Sequence, residues 1–246
     1  MIALIDADIV AYRCAASCKE DDPVEIGLMR TDLLMLEILE ATKATEYMAF
    51  LSGSDNFRKH INPDYKANRK DMVPPKYLQD CREYLVTEWK AKLGVGLEAD
   101  DLLGINQTDQ TVICSIDKDL KMIPGLHYNF VKQEWDDVSV DQGNKHFWKQ
   151  MLIGDKTDNI IGVQGLGPVK SAKLIDPCET NEECLEVVLE KYGFDFDRIT
   201  TNAACLWIKR SEESEWQNDL GLNLTNPLKH AVTTLSESMT SFMNGI

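Results

Sequence analysis

Three short apolar runs, Ile2 to Ile5, Tyr47 to Leu51 and Thr111 to Ile116, read as buried strands. Helical patterns lie between them. From Thr31 to Lys43, Leu34, Ile38 and Leu39 recur at helical spacing, and from Lys76 to Leu93 a stripe of Leu78, Cys81, Leu85 and Trp89 precedes Gly94 as a stop. Strands alternating with helices imply an α/β fold with a mostly parallel sheet flanked by helices. Past residue 175 the pattern turns helical: Glu182 to Lys191 carries Leu185, Val188 and Leu189 on one side, and Asn226-Pro227 begins a last helix.

Each strand leads into acidic residues. Ile5 runs into Asp6 and Asp8, Leu51 is followed shortly by Asp55, and Ile116 runs into Asp117 and Asp119. In an open parallel sheet, side chains just beyond the carboxyl ends of the strands share one crevice, where ligands bind. One Asp after a strand is ordinarily a turn or cap residue, and three together are harder to explain that way. In LEADDLLG, Glu98, Asp100 and Asp101 fall within an arc of about 160° on the helical wheel, as ligands or as acidic N-terminal caps. In GDKTD, Asp155 and Asp158 share one face if the segment is helical.

Leaving Asp8 aside, nine carboxylates packed together repel and several take up protons unless cations join them. Oxygen ligands without Cys or His favour Mg²⁺ or Mn²⁺ over zinc, and the surplus of carboxylates suggests two ions about 4 Å apart. The net charge of -15 argues against nucleic-acid binding until its distribution is considered. Arg58, Lys59, Lys66, Arg69 and Lys70 stand within thirteen residues against one acid, Asp64. Ions bound to the acids would make formal charge a poor guide to partners. The seven cysteines form no CxxC pair and read as buried reduced thiols. Neither a membrane span nor a basic leader is visible, so an intracellular, cytoplasmic protein is expected.

The order IDAD, SGSDNFRKHINPDYKANRK, LEADDLLG, SIDKDL and GDKTDNIIGVQGLGPVKSAKLI resembles the flap endonuclease and 5′-3′ exonuclease family, in particular its compact bacteriophage-type members, over about residues 1 to 175. The resemblance implies a PIN-like nuclease domain over 1–150, with a helical arch at about 56–76. A helix-three-turn-helix element and C-terminal helices would follow over 151–246. It implies metal-dependent hydrolysis of DNA phosphodiesters at 5′ ends or 5′ flaps, in replication or repair. RNA in RNA-DNA hybrids is a further substrate in such relatives.

Carried over residue by residue, Asp6, Asp55, Glu98, Asp100, Asp101, Asp117 and Asp119 match the family's acidic positions, and Asp155 and Asp158 the pair for a second metal. Asp8 lies outside that set and reads as a turn or cap residue. Lys66 and Arg69 match the active-site cations at the base of the arch, where they would stabilise charge on the phosphate oxygens. Tyr65 reads as a base-stacking residue or an interior aromatic, and Arg13 as a substrate contact or a surface arginine. Gly165 and Gly167 let backbone amides approach a phosphate, Pro168 suits the first helical position, and Lys170 and Lys173 reach neighbouring phosphates. Relatives often hold K⁺ in this turn. Val169 stands where many relatives have lysine, and KLGVGLEADD is short, leaving little room for the usual strand before the acidic helix. A monomer is expected, working in the host cytoplasm if phage-encoded, beside replication proteins. A PIN-type ribonuclease and a non-catalytic branched-DNA binder are the competing readings.

Overall fold

The computed structural model describes residues 1–243. In chain order the elements are β1 (Ile2–Asp6), α1 (Ala7–Ala16), α2 (Val24–Thr42), β2 (Glu46–Leu51), α3 (Phe57–Ile61), α4 (Leu78–Thr87), β3 (Lys92–Leu93), α5 (Ala99–Asn106), β4 (Thr111–Cys114), β5 (Gly125–Asn129) and β6 (Glu134–Val138). Next come α6 (Val140–Ile153), β7 (Gly154–Asp155), β8 (Ile160–Ile161), α7 (Pro168–Ile175), α8 (Asn181–Lys191), α9 (Phe196–Leu206), α10 (Trp216–Asp219) and α11 (Asn226–Met243). Short 3₁₀ turns cover Ala67–Arg69 and Asp119–Met122. The chain forms two compact units: Met1–Ser54 with Met72–Val138, and Asp55–Asp71 with the chain from Ser139 onward.

In the first unit one sheet runs β3-β2-β1-β4-β5-β6. All neighbours are parallel except β5 and β6, which close it as an antiparallel hairpin. β1 is central, and Ala3, Leu4 and Ile5 are wholly buried, as a strand covered on both faces demands. Val10 and Cys14 of α1, Met35 and Ile38 of α2, and Cys81 and Leu85 of α4 pack against it. Burying each such large aliphatic side chain contributes about 1.5–3 kcal/mol.

The three expected strands are present, while β3, β5 and β6 were not legible. In β6, EWDDV, only Val138 is buried, so an edge strand of this kind shows no apolar run. Helix α2 starts at Val24, directly after Pro23, earlier than the apolar spacing suggested. Gly27 interrupts that spacing because it is a buried contact point: a Cβ there would meet the Cys81 and Cys18 sulfurs at 3.3 and 3.4 Å. Helix α4 ends at Thr87 instead of Leu93. Lys90, at φ 53°, turns the chain so that Lys92–Leu93 can pair with β2 as a two-residue edge strand. The seven cysteines are free thiols and all but Cys18 are buried. Burial pushes the Cys14 and Cys114 thiols up to about 11 and about 12, which keeps them neutral and inert.

The second unit is helical around an aromatic knot. Phe147 packs edge-on to Trp207 at 4.9 Å, and Trp148 edge-on to Trp216 at 6.4 Å. In this unit α6 packs on α7, α8 and α9, and residues 55–71 are pinned to α9. The pin is Arg58, 3% exposed, whose Nε donates to the Cys205 carbonyl at 2.9 Å and Nη2 to that of Trp207 at 2.7 Å. Arg58 thus satisfies the C-terminal carbonyls of α9 and complements its dipole, and is no part of a surface patch. The segment expected as a helical arch holds one five-residue helix and one 3₁₀ turn. Pro63, Pro74 and Pro75 deny a longer helix. Among the described residues no helix is long and apolar enough to cross a membrane.

Candidate nuclease site

In the first unit the acidic residues gather where β1 and β4 end. Asp6 closes β1 and caps α1, its Oδ1 accepting from the Ile9 amide at 3.1 Å. On the neighbouring strand's exit, Ser115 Oγ donates to Asp6 Oδ2 at 2.6 Å and accepts from the Asp117 amide at 3.0 Å. Asp117 Oδ1 in turn accepts from the Asp119 amide at 2.8 Å. The parallel pairing of β1 with β4 sets this chain of contacts, since Ile5 lies opposite Cys114 and the two exits are adjacent. Burial, then the charges of Asp8 and Asp117, outweigh the hydrogen bonds and raise the Asp6 carboxyl to about 7.

Asp8 is not the cap or turn residue expected, since Asp6 caps α1 and Asp8 makes a long-range tie. Its Oδ2 accepts from the Ser52 amide at 2.8 Å and its Oδ1 takes a short bond from Arg82, joining α1 to the end of β2 and to α4. Glu98 and Asp101 form a reciprocal capping box on α5, with the Glu98 amide 3.2 Å from Asp101 Oδ2. Asp101 is wholly buried and Asp100 half-buried in the first turn of α5. Arg13 is exposed in the last turn of α1.

The second unit holds a separate constellation. GDKTDNII is not helical: β7 and β8 form a tight antiparallel hairpin with Asp155 opposite Ile160. Glycine decides this, because a Cβ on Gly154 would meet the Gly162 amide nitrogen at 2.3 Å and one on Gly162 would meet the Ile153 carbonyl carbon at 2.3 Å. At the turn, Asp155 Oδ1 accepts from the Thr157 amide at 2.7 Å. Asp158 then receives three side chains from the 65–69 segment: the Tyr65 hydroxyl at 2.8 Å on Oδ2, Arg69 Nη2 at 2.6 Å on Oδ1, and Lys66 Nζ at 3.5 Å from Oδ2. Burial and Asp155 raise the Asp158 carboxyl, while Lys66, Tyr65 and Arg69 pull it down, with burial dominant.

Tyr65 is 4% exposed, which agrees with the interior aromatic that the sequence allowed beside base stacking. Its bond to Asp158 left no signal in the sequence. Asp55 opens this unit, exposed, with its Oδ1 accepting from the adjacent Asn56 amide. In the glycine-rich turn, Gly165 has φ 79° and the Leu166 amide closes onto the Val163 carbonyl at 3.1 Å. Gly167, at φ -102°, caps α7 ahead of Pro168, and its conformation is open to any residue. Lys170 and Lys173 are exposed, with Lys170 Nζ donating to the Gly165 carbonyl at 2.9 Å.

Among the described residues no three His, Cys, Asp or Glu side chains are drawn together tightly enough to hold a metal ion by themselves. The donors nevertheless suit Mg²⁺, which binds through one or two carboxylates, retains several waters and disfavours sulfur and nitrogen. One observation supports that fit: burial and the neighbouring carboxylates of Asp8 and Asp117 raise the Asp6 carboxyl to about 7. Asp158 is met by two cations, Lys66 and Arg69, which a metal ion there would displace.

No family model matches the chain. It is 30% identical over 165 residues to flap endonuclease Xni of Pseudoalteromonas translucida, covering 56% of this chain and 61% of that protein. It is 30% identical over 173 residues to the exodeoxyribonuclease of Enterobacteria phage T3, covering 65% of this chain and 55% of that one. The chain thus spans about three fifths of these relatives' lengths. Its fold matches the phage T5 D15 flap endonuclease, solved with DNA and metal ions, at TM-score 0.62 and 14% identity over 97% of this chain and 99% of that one. The chain is thus similar in sequence to a flap endonuclease and a phage exodeoxyribonuclease, and in fold to a phage flap endonuclease.

Proposed function

We propose that this chain is a divalent-metal-dependent 5′-nuclease that hydrolyses DNA phosphodiesters at 5′ ends or 5′ flaps. The observation that carries the reading is the acidic run at the adjacent exits of β1 and β4, where the buried Asp6 is joined through Ser115 to the half-buried Asp117 and on to the Asp119 backbone. Such a cluster at the carboxyl end of a parallel sheet is a ligand site, and its charge calls for cations. Asp6, Asp117 and Asp119, with Glu98, Asp100 and Asp101 as direct or water-mediated partners, are assigned to one Mg²⁺. Asp155 and Asp158 are assigned to a second, with Mn²⁺ as a substitute and K⁺ as the ion of the glycine-rich turn. Bound divalent ions supply Lewis-acid polarisation of the phosphate and a water of lowered pKa.

The chain's own residues orient and neutralise. Lys66 and Arg69 exchange Asp158 for the phosphate oxygens and stabilise charge that grows there in the transition state. No covalent enzyme intermediate is required. Gly165, Gly167, Lys170 and Lys173 hold the duplex backbone, and Arg13 contacts substrate. These contacts read phosphate and carry no base sequence, so the RNA strand of a hybrid is a further substrate. A monomer acting beside replication proteins fits this reading.

The deciding assay uses end-labelled 5′-flap DNA, blunt duplex and single-stranded RNA, with Mg²⁺ or with chelator. Flap or duplex cleavage that needs Mg²⁺ and is lost in Asp119→Asn supports the proposal. Preferential cutting of single-stranded RNA would replace it with a PIN-type ribonuclease, and tight binding without cleavage in Mg²⁺ or Mn²⁺ with a branched-DNA binder.

A further inference from the structure

The 64–69 segment is stapled along the β7–β8 hairpin. The Lys66 amide donates to the Asp158 carbonyl at 2.9 Å, Asn68 Nδ2 to the Lys156 carbonyl at 2.8 Å, Arg69 Nε to the Thr157 carbonyl at 3.2 Å, and Asn159 Nδ2 to the Asp64 carbonyl at 2.8 Å. Both sides of this seam hold a non-glycine residue in the left-handed region, Lys66 at φ 58° and Asn159 at φ 60°. Such conformations cost roughly 1 kcal/mol or more and persist where surrounding contacts over-determine them. The seam therefore fixes the backbone from which Tyr65 reaches Asp158.

Three donors converge on that carboxylate, and they are not equivalent. Lys66 and Arg69 are cations, which an arriving divalent ion repels. Tyr65 is neutral, and a carboxylate oxygen has lone pairs enough to accept its proton and still face a cation. The phenol is also the most enclosed of the three, 4% exposed, whereas the Arg69 side chain is 44% exposed. A buried neutral donor on a ligating carboxylate fixes its orientation while other partners come and go.

We propose that Tyr65 is a positioning residue that holds Oδ2 of Asp158 through its hydroxyl, orienting that carboxylate for a divalent cation. The inference rests on the reading of Asp158 as a metal ligand given under the proposed function. It separates sharply from base stacking, because Tyr65→Phe keeps the ring and removes only the hydroxyl.

The test is Mn²⁺ titration followed by electron paramagnetic resonance on the full chain, without nucleic acid, in wild type, Tyr65→Phe, Asp158→Asn and the double variant, each checked for folding by thermal melting. The expected result is a Mn²⁺ component that Asp158→Asn abolishes and Tyr65→Phe weakens by about 10-fold, with no further loss in the double variant. A component abolished by Asp158→Asn but untouched by Tyr65→Phe overturns the positioning role and leaves the metal reading standing. If Asp158→Asn removes no component, the metal assignment of Asp158 fails and the role of Tyr65 fails with it.

Discussion

Ser115 Oγ lies 2.6 Å from Asp6 Oδ2 and joins the exits of two adjacent parallel strands. The serine hydroxyl is the side-chain donor that a buried carboxyl at this depth needs, and it also receives the Asp117 amide. Ser115→Ala should leave Asp6 short of a donor and free the Asp117 turn. The expected loss is about 1–3 kcal/mol of stability, read by urea denaturation, and Ser115→Thr should recover part of it by keeping the hydroxyl.

Arg58 is expected to behave as a structural residue. Its guanidinium serves two carbonyls at the end of α9, and Arg58→Ala would remove that buried donor from both. A loss of roughly 2–5 kcal/mol is expected from removing both bonds. Lysine lacks the planar fork, so Arg58→Lys should remain well below wild type in a denaturant midpoint. A variant with unchanged stability and weakened DNA binding would return Arg58 to the surface patch.

Lys66 and Lys170 should separate in kinetics. Lys66 lies against Asp158 and is assigned to the transition state, so Lys66→Ala should lower turnover much more than DNA affinity. Lys170 bridges α7 to the Gly165 carbonyl at the glycine-rich turn proposed to hold phosphate, so Lys170→Ala should weaken binding and reduce the salt slope by about 1. Equal losses in affinity from both would contradict the division of roles.

His127 gives the first unit a pH dependence. It is 6% exposed, its Nε2 lies 2.7 Å from the Ile123 carbonyl, and burial lowers its pKa despite that bond. Of the charges that face it, Lys121 lowers the pKa further and Asp137 raises it. Because the folded pKa is below the unfolded one, the unfolded chain binds the proton more readily. His127 thus contributes stability above the unfolded pKa of about 6.5, and that contribution is lost as pH falls toward the folded value. Urea midpoints at pH 7.5 and 5.5 should converge in His127→Gln relative to wild type; an identical pH dependence in the two proteins would count against this.

Gly162 and Gly165 should respond differently to alanine. At Gly162 the new Cβ would sit 2.3 Å from the Ile153 carbonyl carbon, so the hairpin that carries Asp155 and Asp158 could close only by shifting its backbone. At Gly165 a Cβ meets nothing within 4 Å, and the penalty is the left-handed backbone, about 1 kcal/mol. Melting temperatures should fall far more for Gly162→Ala; similar values would show that the hairpin relaxes.

The apolar runs determined the three core strands and their parallel arrangement, because a strand buried on both faces must be continuously apolar. The acidic residues at the strand exits, the glycine-rich turn with Pro168 and the helices at Asn181 and Asn226 were legible for similarly local reasons. The tertiary structure decided the features that depend on partners far along the chain. The exposed edge strand β6 carries too little apolar signal to be read, and the close approach of Gly154 to Gly162 made a hairpin of a segment that spacing alone allowed to be helical. Arg58 reads locally as one cation of a basic stretch and Tyr65 as a stacking or an interior ring, yet their partners stand 147 and 93 residues away. Burial there is set by packing against those distant partners, which local periodicity does not encode.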